Sequence, residues 1–121
     1  MSAQAGLPSR GAAGTPGHRN ATILDFRRLR AFVAVAEELH FRRAADRLVM
    51  TQSPLSRIIK GLEHDLGLAL FTRNKRRVQL TTAGASLLAD ARLLLNLAEE
   101  SLVRARIVGT AATERAEGDR G

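Results

Sequence analysis

Two short amphipathic segments abut within residues 41–71, and their closeness restricts the fold more than any other feature of the chain. The stretch begins Phe41-Arg42-Arg43-Ala44-Ala45-Asp46-Arg47-Leu48-Val49-Met50-Thr51-Gln52-Ser53-Pro54-Leu55-Ser56-Arg57 and runs on to Leu70-Phe71. A tight helix-turn-helix has this form. Its first helix braces, and its second offers small polar groups at its N-terminus to the edges of base pairs. The bracing helix is expected over about 42–48 with Ala44, Ala45 and Leu48 inward, since two helices approach closely only where side chains are short. Val49 and Met50 make the turn, with Met50 as its buried plug. Thr51 is the expected N-cap of the next helix, its hydroxyl accepting from a backbone N–H two or three residues on. Pro54 falls in the first turn, where a missing N–H breaks no intrahelical bond.

The flanking periodicities complete a small domain. Upstream, Asp25 is placed to cap a helix in which Leu29, Phe32, Val33 and Ala36 recur at i, i+3, i+4 and i+7, with Leu39 one turn on. In the third helix Leu55, Ile58, Ile59, Leu62 and Leu66 form the core face, opposite Gln52, Ser53, Ser56, Arg57 and Lys60, and Gly67 ends it. The period then changes. Residues 70–73 and 78–80 read as two strands joined by Asn74-Lys75-Arg76-Arg77, a basic-tipped hairpin in the position of a wing. Thr81 or Thr82 should cap a last helix reaching about Val108. Leu87, Leu88, Ala91, Leu94, Leu95, Ala98, Leu102 and Ala105, with Leu93 and Leu97, cover more than one stripe of it. Packing against its own domain is one explanation. A preceding domain of about sixty residues is too small to cover about seven turns, so self-association is the expectation. Glu100 and Arg104 form an i, i+4 pair on its wet face.

The fold class expected is mainly α: a winged helix-turn-helix of three helices and a short β-hairpin, followed by a long linker and dimerisation helix. The expected organisation is a disordered extension over 1–22 and a DNA-binding domain over 23–82. Within that domain the helix-turn-helix spans about 41–60 and the wing about 70–80. A linker helix over 83–108 and a flexible tail over 109–121 follow.

Charge and composition bound the function. The chain carries 19 Lys and Arg against 12 Asp and Glu, for a net charge of +7. Residues 41–80 hold nine basic and three acidic groups, against five and three before them and five and six after. A focused basic patch suits a polyanion, because phosphate contacts release condensed counterions. On charge alone, a solvated basic surface explains it as well. There is no cysteine, which excludes disulfides and thiolate metal sites. His18, His40 and His64 stand apart from any carboxylate pattern of a metal site, so no metal or cofactor is expected. No apolar run approaches the roughly 18 residues of a membrane span, and residues 1–22 lack the apolar core of a signal peptide. A soluble, intracellular, cytoplasmic protein is expected.

Six short patterns in register resemble the N-terminal region of LysR-type transcriptional regulators. They are Leu29-Arg30-Ala31-Phe32-Val33-Ala34-Val35-Ala36-Glu37, Arg43-Ala44-Ala45-Asp46-Arg47-Leu48 and Thr51-Gln52-Ser53-Pro54-Leu55-Ser56-Arg57. Leu62-Glu63 with Leu66-Gly67, Leu70-Phe71-Thr72-Arg73, and Leu80-Thr81-Thr82-Ala83-Gly84 complete the set. The resemblance covers about 24–106. It implies that Gln52, Ser53, Pro54 and Ser56 approach bases in the major groove, with Arg57 and Lys60 reaching bases or adjacent phosphates. Arg42 and Thr51 would clamp the backbone. Arg73 would enter or border the minor groove, with Lys75, Arg76 and Arg77 on flanking phosphates. Side-chain chemistry agrees: Gln pairs in bidentate fashion with adenine, Arg with guanine, and a proline ring meets a thymine methyl. Basic wing residues favour a narrow, electronegative minor groove.

Two features depart from the family pattern. His40 stands where a small hydroxyl residue is usual before the second helix, which leaves that cap open. The family also continues into an effector-binding domain of roughly 200 residues, and a small-molecule effector would act only through that domain, which is missing from this chain. A DNA-binding fragment is the expectation, with a naturally short relative as the other option, and either has double-stranded DNA as partner and forms a homodimer through the long helix on an interrupted palindrome. The alternative is a winged-helix protein-interaction module working through that helix. No paired carboxylates, Cys/His constellation or glycine-rich phosphate loop points to an enzyme, and Ser53 and Ser56 have no base at a plausible spacing.

Overall fold

The computed structural model describes residues 23–120; the extension expected over 1–22 lies outside them. Four helices and one hairpin follow in order: α1 (Phe26–Glu38), α2 (Phe41–Arg47), α3 (Gln52–Leu66), β1 (Phe71–Arg73), β2 (Val78–Leu80) and α4 (Thr82–Arg120). The architecture is a winged helix-turn-helix with a long C-terminal helix.

Helix α1 is the centre of the core. Asp25 caps it, its Oδ1 accepting from the Arg28 N–H at 2.8 Å. Leu29, Phe32, Val33 and Ala36 are buried as their spacing requires, and so are Ala31, Ala34 and Val35. The buried stripe is widened because α2, α3 and α4 all pack on α1, which leaves the face of Arg27, Arg30 and Glu37 exposed. Leu39 does not extend the stripe. It adopts a left-handed conformation (φ 49°) that closes the helix, and it is 41% exposed.

The turn between α2 and α3 is built from backbone. The Val49 N–H donates to the Asp46 carbonyl at 3.1 Å, and the Met50 N–H to the Ala45 carbonyl at 3.0 Å. These two bonds make a Schellman closure, which needs a left-handed residue at its first position. Val49 occupies it at φ 56° and is 92% exposed. Gly67 fills the equivalent place after α3, where the Leu68 N–H reaches the Glu63 carbonyl at 3.2 Å. Met50 is half-buried against the core.

The caps follow one rule, with one exception. His40 caps α2 through Nδ1, which accepts from the Arg43 N–H at 3.1 Å. Thr81 caps α4 by accepting from the Gly84 N–H at 3.0 Å, while its own hydroxyl donates to the Ala69 carbonyl at 2.8 Å. Each cap, like that of Asp25, bonds the amide three residues on. Thr51 holds the N-cap position of α3 but makes no side-chain cap bond, contrary to expectation. The amide three residues on belongs to Pro54, which has no N–H to give.

Phe32, Val35, Leu55, Ile59, Leu62 and Leu70 are the largest fully buried side chains. Leu66 falls outside this core and is 39% exposed. The hairpin pairs Phe71 with Leu80, Thr72 with Gln79 and Arg73 with Val78 in antiparallel register. Phe71 anchors it, its ring centroid 5.5 Å from Phe32 and 6.4 Å from Phe41. Gly84 is required where α4 crosses the hairpin, because a Cβ there would overlap the Leu70 carbonyl oxygen.

Helix α4 is longer than the sequence suggests. It passes Val108 and runs to Arg120, so the tail expected after Gly109 is helical through residue 120. Gly109 and Gly118 each cost about 1 kcal/mol in a helix. Ala111, Ala112, Glu114, Arg115, Ala116 and Glu117 are good or fair helix formers that oppose this cost, and the Thr113 hydroxyl bonds the Gly109 carbonyl at 2.9 Å. Beyond Leu95 the helix has almost no neighbours and nearly every residue is exposed.

Candidate nucleic-acid interface

Burial of Leu55, Ile58, Ile59 and Leu62 fixes the rotation of α3 and so determines which side chains face outward. Thr51, Gln52, Ser53, Arg57 and Lys60 are exposed, and Pro54 and Ser56 half-buried, along one side of the helix. The missing cap leaves the Thr51 hydroxyl uncommitted, beside first-turn N–H groups that have no intrahelical acceptor. This end of α3 carries partial positive charge. It presents donors and acceptors on a rigid element.

Ion pairing separates the cations into two sets. Arg28 pairs with Asp65 at 2.9 Å, Arg43 with Glu38 at 3.8 Å and Arg73 with Glu63 at 3.1 Å. Arg47 and Arg92 both bind Glu37, at 2.7 and 2.8 Å. Among the described residues, Arg42, Arg57, Lys60, Lys75, Arg76 and Arg77 form no ion pair. The paired cations brace helices and strands. Of the six without an ion pair, Arg57 and Lys60 lie on the exposed face of α3, Lys75, Arg76 and Arg77 at the tip of the hairpin and Arg42 at the start of α2. Arg27, Arg30 and Arg106 also form no ion pair among the described residues.

The tip is shaped by Asn74, whose Oδ1 accepts from the N–H groups of Arg76 and Arg77, both at 2.9 Å. This side-chain turn holds the backbone while Lys75, Arg76 and Arg77 remain exposed. Arg73, also exposed, makes further contacts. Its guanidinium pairs with Glu63 and lies 5.1 Å from the Phe41 ring centroid, and its side chain is 32% exposed. Arg73 thus braces the hairpin against α2 and α3.

Glu63 was not recognised from sequence as a site residue. Its Oε2 accepts from the N–H groups of Leu70 at 2.8 Å and Phe71 at 3.1 Å, while Oε1 takes Arg73. One carboxylate on α3 therefore sets where the hairpin starts. No spacing rule reveals a helical glutamate reaching across a turn to strand amides. The turn-forming Asn74, ahead of three cations, was a legible signal.

Behind the interface, Glu37 joins α1 to α2 and α4. The hydrogen bond from Arg92, and next that from Arg47, hold its carboxyl below the usual range against the opposing effect of burial. Glu37 in turn raises Arg47. Arg28, with His64, lowers Asp65.

The residues expected to pair two long helices divide in the structure. Leu88 and Ala91 are buried in the chain's own core, with Leu87 and Leu95 packed against it. They are committed within the domain, because α4 lies on α1 over its first turns. Ala98 is half-buried, while Leu94 and Leu102 are exposed, together with Leu93 (68%), Leu97, Val103, Ile107 and Val108. No group of three or more His, Cys, Asp or Glu among the described residues could hold a metal ion. No described helix is long and apolar enough to cross a membrane.

Residues 26–85 match the family described as bacterial regulatory helix-turn-helix protein, lysR family. The HTH-type transcriptional regulator ClcR of Pseudomonas putida is 52% identical over 83 residues, which cover 69% of this chain and 28% of ClcR. XapR of Escherichia coli strain K12, also an HTH-type transcriptional regulator, is 50% identical over 93 residues, covering 77% of this chain and 32% of XapR. The chain thus spans less than a third of the length of these relatives. The crystal structure of the CbnR_DBD-DNA complex matches with a TM-score of 0.67 and 43% identity over 71% of this chain and 99% of that one. The BenM_DBD/benA site 1 DNA complex matches with a TM-score of 0.68 and 38% identity over 71% and 97%.

Proposed function

Because the chain belongs to the LysR family of bacterial regulatory helix-turn-helix proteins, we propose that it binds double-stranded DNA sequence-specifically, as the DNA-binding part of a bacterial transcription regulator. The observation that carries this reading is the sorting of cations. Among the described residues, Arg42, Arg57, Lys60, Lys75, Arg76 and Arg77 form no ion pair, and they lie on α3, at the start of α2 and at the tip of the hairpin. Phosphates are the counterions that such an arrangement accommodates, and their contacts supply most of the affinity. The relatives CbnR_DBD and BenM_DBD, matched over nearly their whole lengths, are seen in complexes with DNA.

In this reading α3 enters the major groove. Gln52, Ser53, Pro54 and Ser56 meet base edges, and Arg57 and Lys60 meet bases or phosphates. Thr51, with its free hydroxyl, and Arg42 hold the backbone, and the wing tip with Arg76 lies at the neighbouring minor groove. Two chains pair through the exposed leucines of α4, so that two copies of α3 address an interrupted palindrome. The protein acts in the bacterial cytoplasm, at the nucleoid. The exposed leucine face is also what a protein-interaction module would need, and DNA binding separates the two readings.

The test compares two kinds of substitution. Gln52→Ala or Ser56→Ala should erase discrimination at particular base pairs, by about 1–3 kcal/mol each. Arg76→Ala should weaken binding to all sequences alike and lower the salt slope by about one. Equal losses on every sequence from both kinds of variant would remove the base-reading role.

A further inference from the structure

Two arginines at the start of α1 have no part in the interface described so far. Arg28 anchors this end of the helix: it donates to the Ile23 carbonyl at 2.8 Å and pairs with Asp65 at 2.9 Å. It passes over Gly61, where a Cβ would stand 3.1 Å from its guanidinium. The first turn of α1 is thereby fixed across the flank of α3. Arg27 then lies beside the α3 edge that carries Arg57, and both line one open recess of about 250 Å³ with Arg28, Pro54 and Ile58. Arg30, three residues from Arg27 and so on the same helical face, lines the adjoining recess together with Arg27, Leu48 and Met50.

Of the three arginines in α1, only Arg28 pairs with a carboxylate among the described residues. Arg27 and Arg30 are exposed and form no ion pair among the described residues. With Arg57 they make a row of uncompensated guanidiniums that continues from the polar face of α3 onto α1, past the turn. A guanidinium presents a planar fork that matches phosphate oxygens, and a row of them repels itself unless anions lie along it. We propose that Arg27 and Arg30 form a phosphate-gripping ridge that widens the duplex footprint from α3 onto the start of α1. The proposal rests on the DNA-binding reading above. Being backbone contacts, these residues add affinity and fix docking without selecting bases.

The test measures the affinity of the full chain for a labelled duplex of mixed sequence over a salt series. Arg27→Gln with Arg30→Gln is compared with the unaltered chain and with Arg106→Gln, which removes an exposed arginine far along α4. Each lost phosphate contact lowers the slope of log affinity against log salt by about 0.9. The double variant should therefore shrink the affinity loss between about 50 and 200 mM salt by about twelvefold, with equal losses on all sequences. Arg27→Lys with Arg30→Lys should keep most of the slope, and Arg106→Gln all of it. Should the glutamine variant disturb folding, the lysine variant paired with a single Arg27→Gln reads the same slope. Duplex binding with an unchanged slope in the glutamine variants overturns the ridge and leaves the DNA reading standing, with the recess open to an acidic protein partner instead. Failure of the unaltered chain to bind duplex overturns both.

Discussion

Replacing Glu63 by Ala should detach the wing from α3 and destabilise the whole domain. The carboxylate accepts two strand amides, at 2.8 and 3.1 Å, and one guanidinium, at 3.1 Å. A hydrogen bond to a charged group contributes about 1.5–3 kcal/mol, so the two amides together could account for about 3–6 kcal/mol. Their partly buried setting admits some water after truncation, which places the loss near the lower end. The Arg73 pair is partly exposed and adds less than about 1 kcal/mol. A loss of about 3 kcal/mol is expected, which lowers Tm by roughly 12–24 °C in a domain of this size. Glu63→Gln keeps one acceptor oxygen but sets an amide donor against Arg73, so about half that loss should remain. Urea unfolding followed by far-UV circular dichroism measures both. The same strand carries the wing, so Arg76→Ala should have far less effect on DNA affinity in the Glu63→Ala background than alone. A loss under about 1 kcal/mol for Glu63→Ala would refute the reasoning. It would mean that packing of Leu70 and Phe71 holds the hairpin without the carboxylate.

Val49→Asn should stabilise the fold by about 1 kcal/mol, since a β-branched residue is disfavoured in the left-handed region and Asn is tolerated there. Val49 is 92% exposed and little packing is lost; an unchanged or lower urea midpoint would contradict this. Gly84→Ala should destabilise by about 3 kcal/mol through overpacking against the Leu70 carbonyl, and a near-native melting curve would show that the crossing yields. Glu37 is held below the ordinary carboxylate value of 4.5, so its contribution is present above that value and is lost as pH falls through the lower folded value. Acid unfolding should therefore lose part of its pH dependence in Glu37→Gln, and identical acid curves would exclude Glu37 as a source. Leu93→Lys with Leu97→Lys should shift sedimentation toward monomer without changing the melting of the domain; an unchanged oligomeric state would move the contact off this face.

The parts of the fold legible from sequence are those where local chemistry and periodicity agree. Asp25 caps α1, and Ala44 and Ala45 are buried where α2 meets its neighbours. Gly67 closes α3, and the strands pair where the period changes. The misplaced features depend on contacts between elements. Leu39 looks like a continuing stripe residue, but the chain must turn there, and the backbone places it in a left-handed conformation. Thr51 has the composition of a cap, and only the geometry of the other three caps shows that Pro54 stands where they find their amide, three residues on. Arg73 reads only as one of four wing cations, and its bracing role shows once Glu63 and Phe41 are seen beside it. The exposed face of α3 was legible because burial of four apolar residues fixes it. The division of α4 was not, since periodicity cannot say which leucines α1 already covers.

The most direct test is a selection of random duplex DNA by the purified chain at moderate salt, read by sequencing. Enrichment of an interrupted palindrome is the predicted result, and it would report both base reading by α3 and the spacing of two copies. Binding that vanishes as salt rises, with no sequence enriched, would contradict specific recognition and reduce the interface to a basic surface.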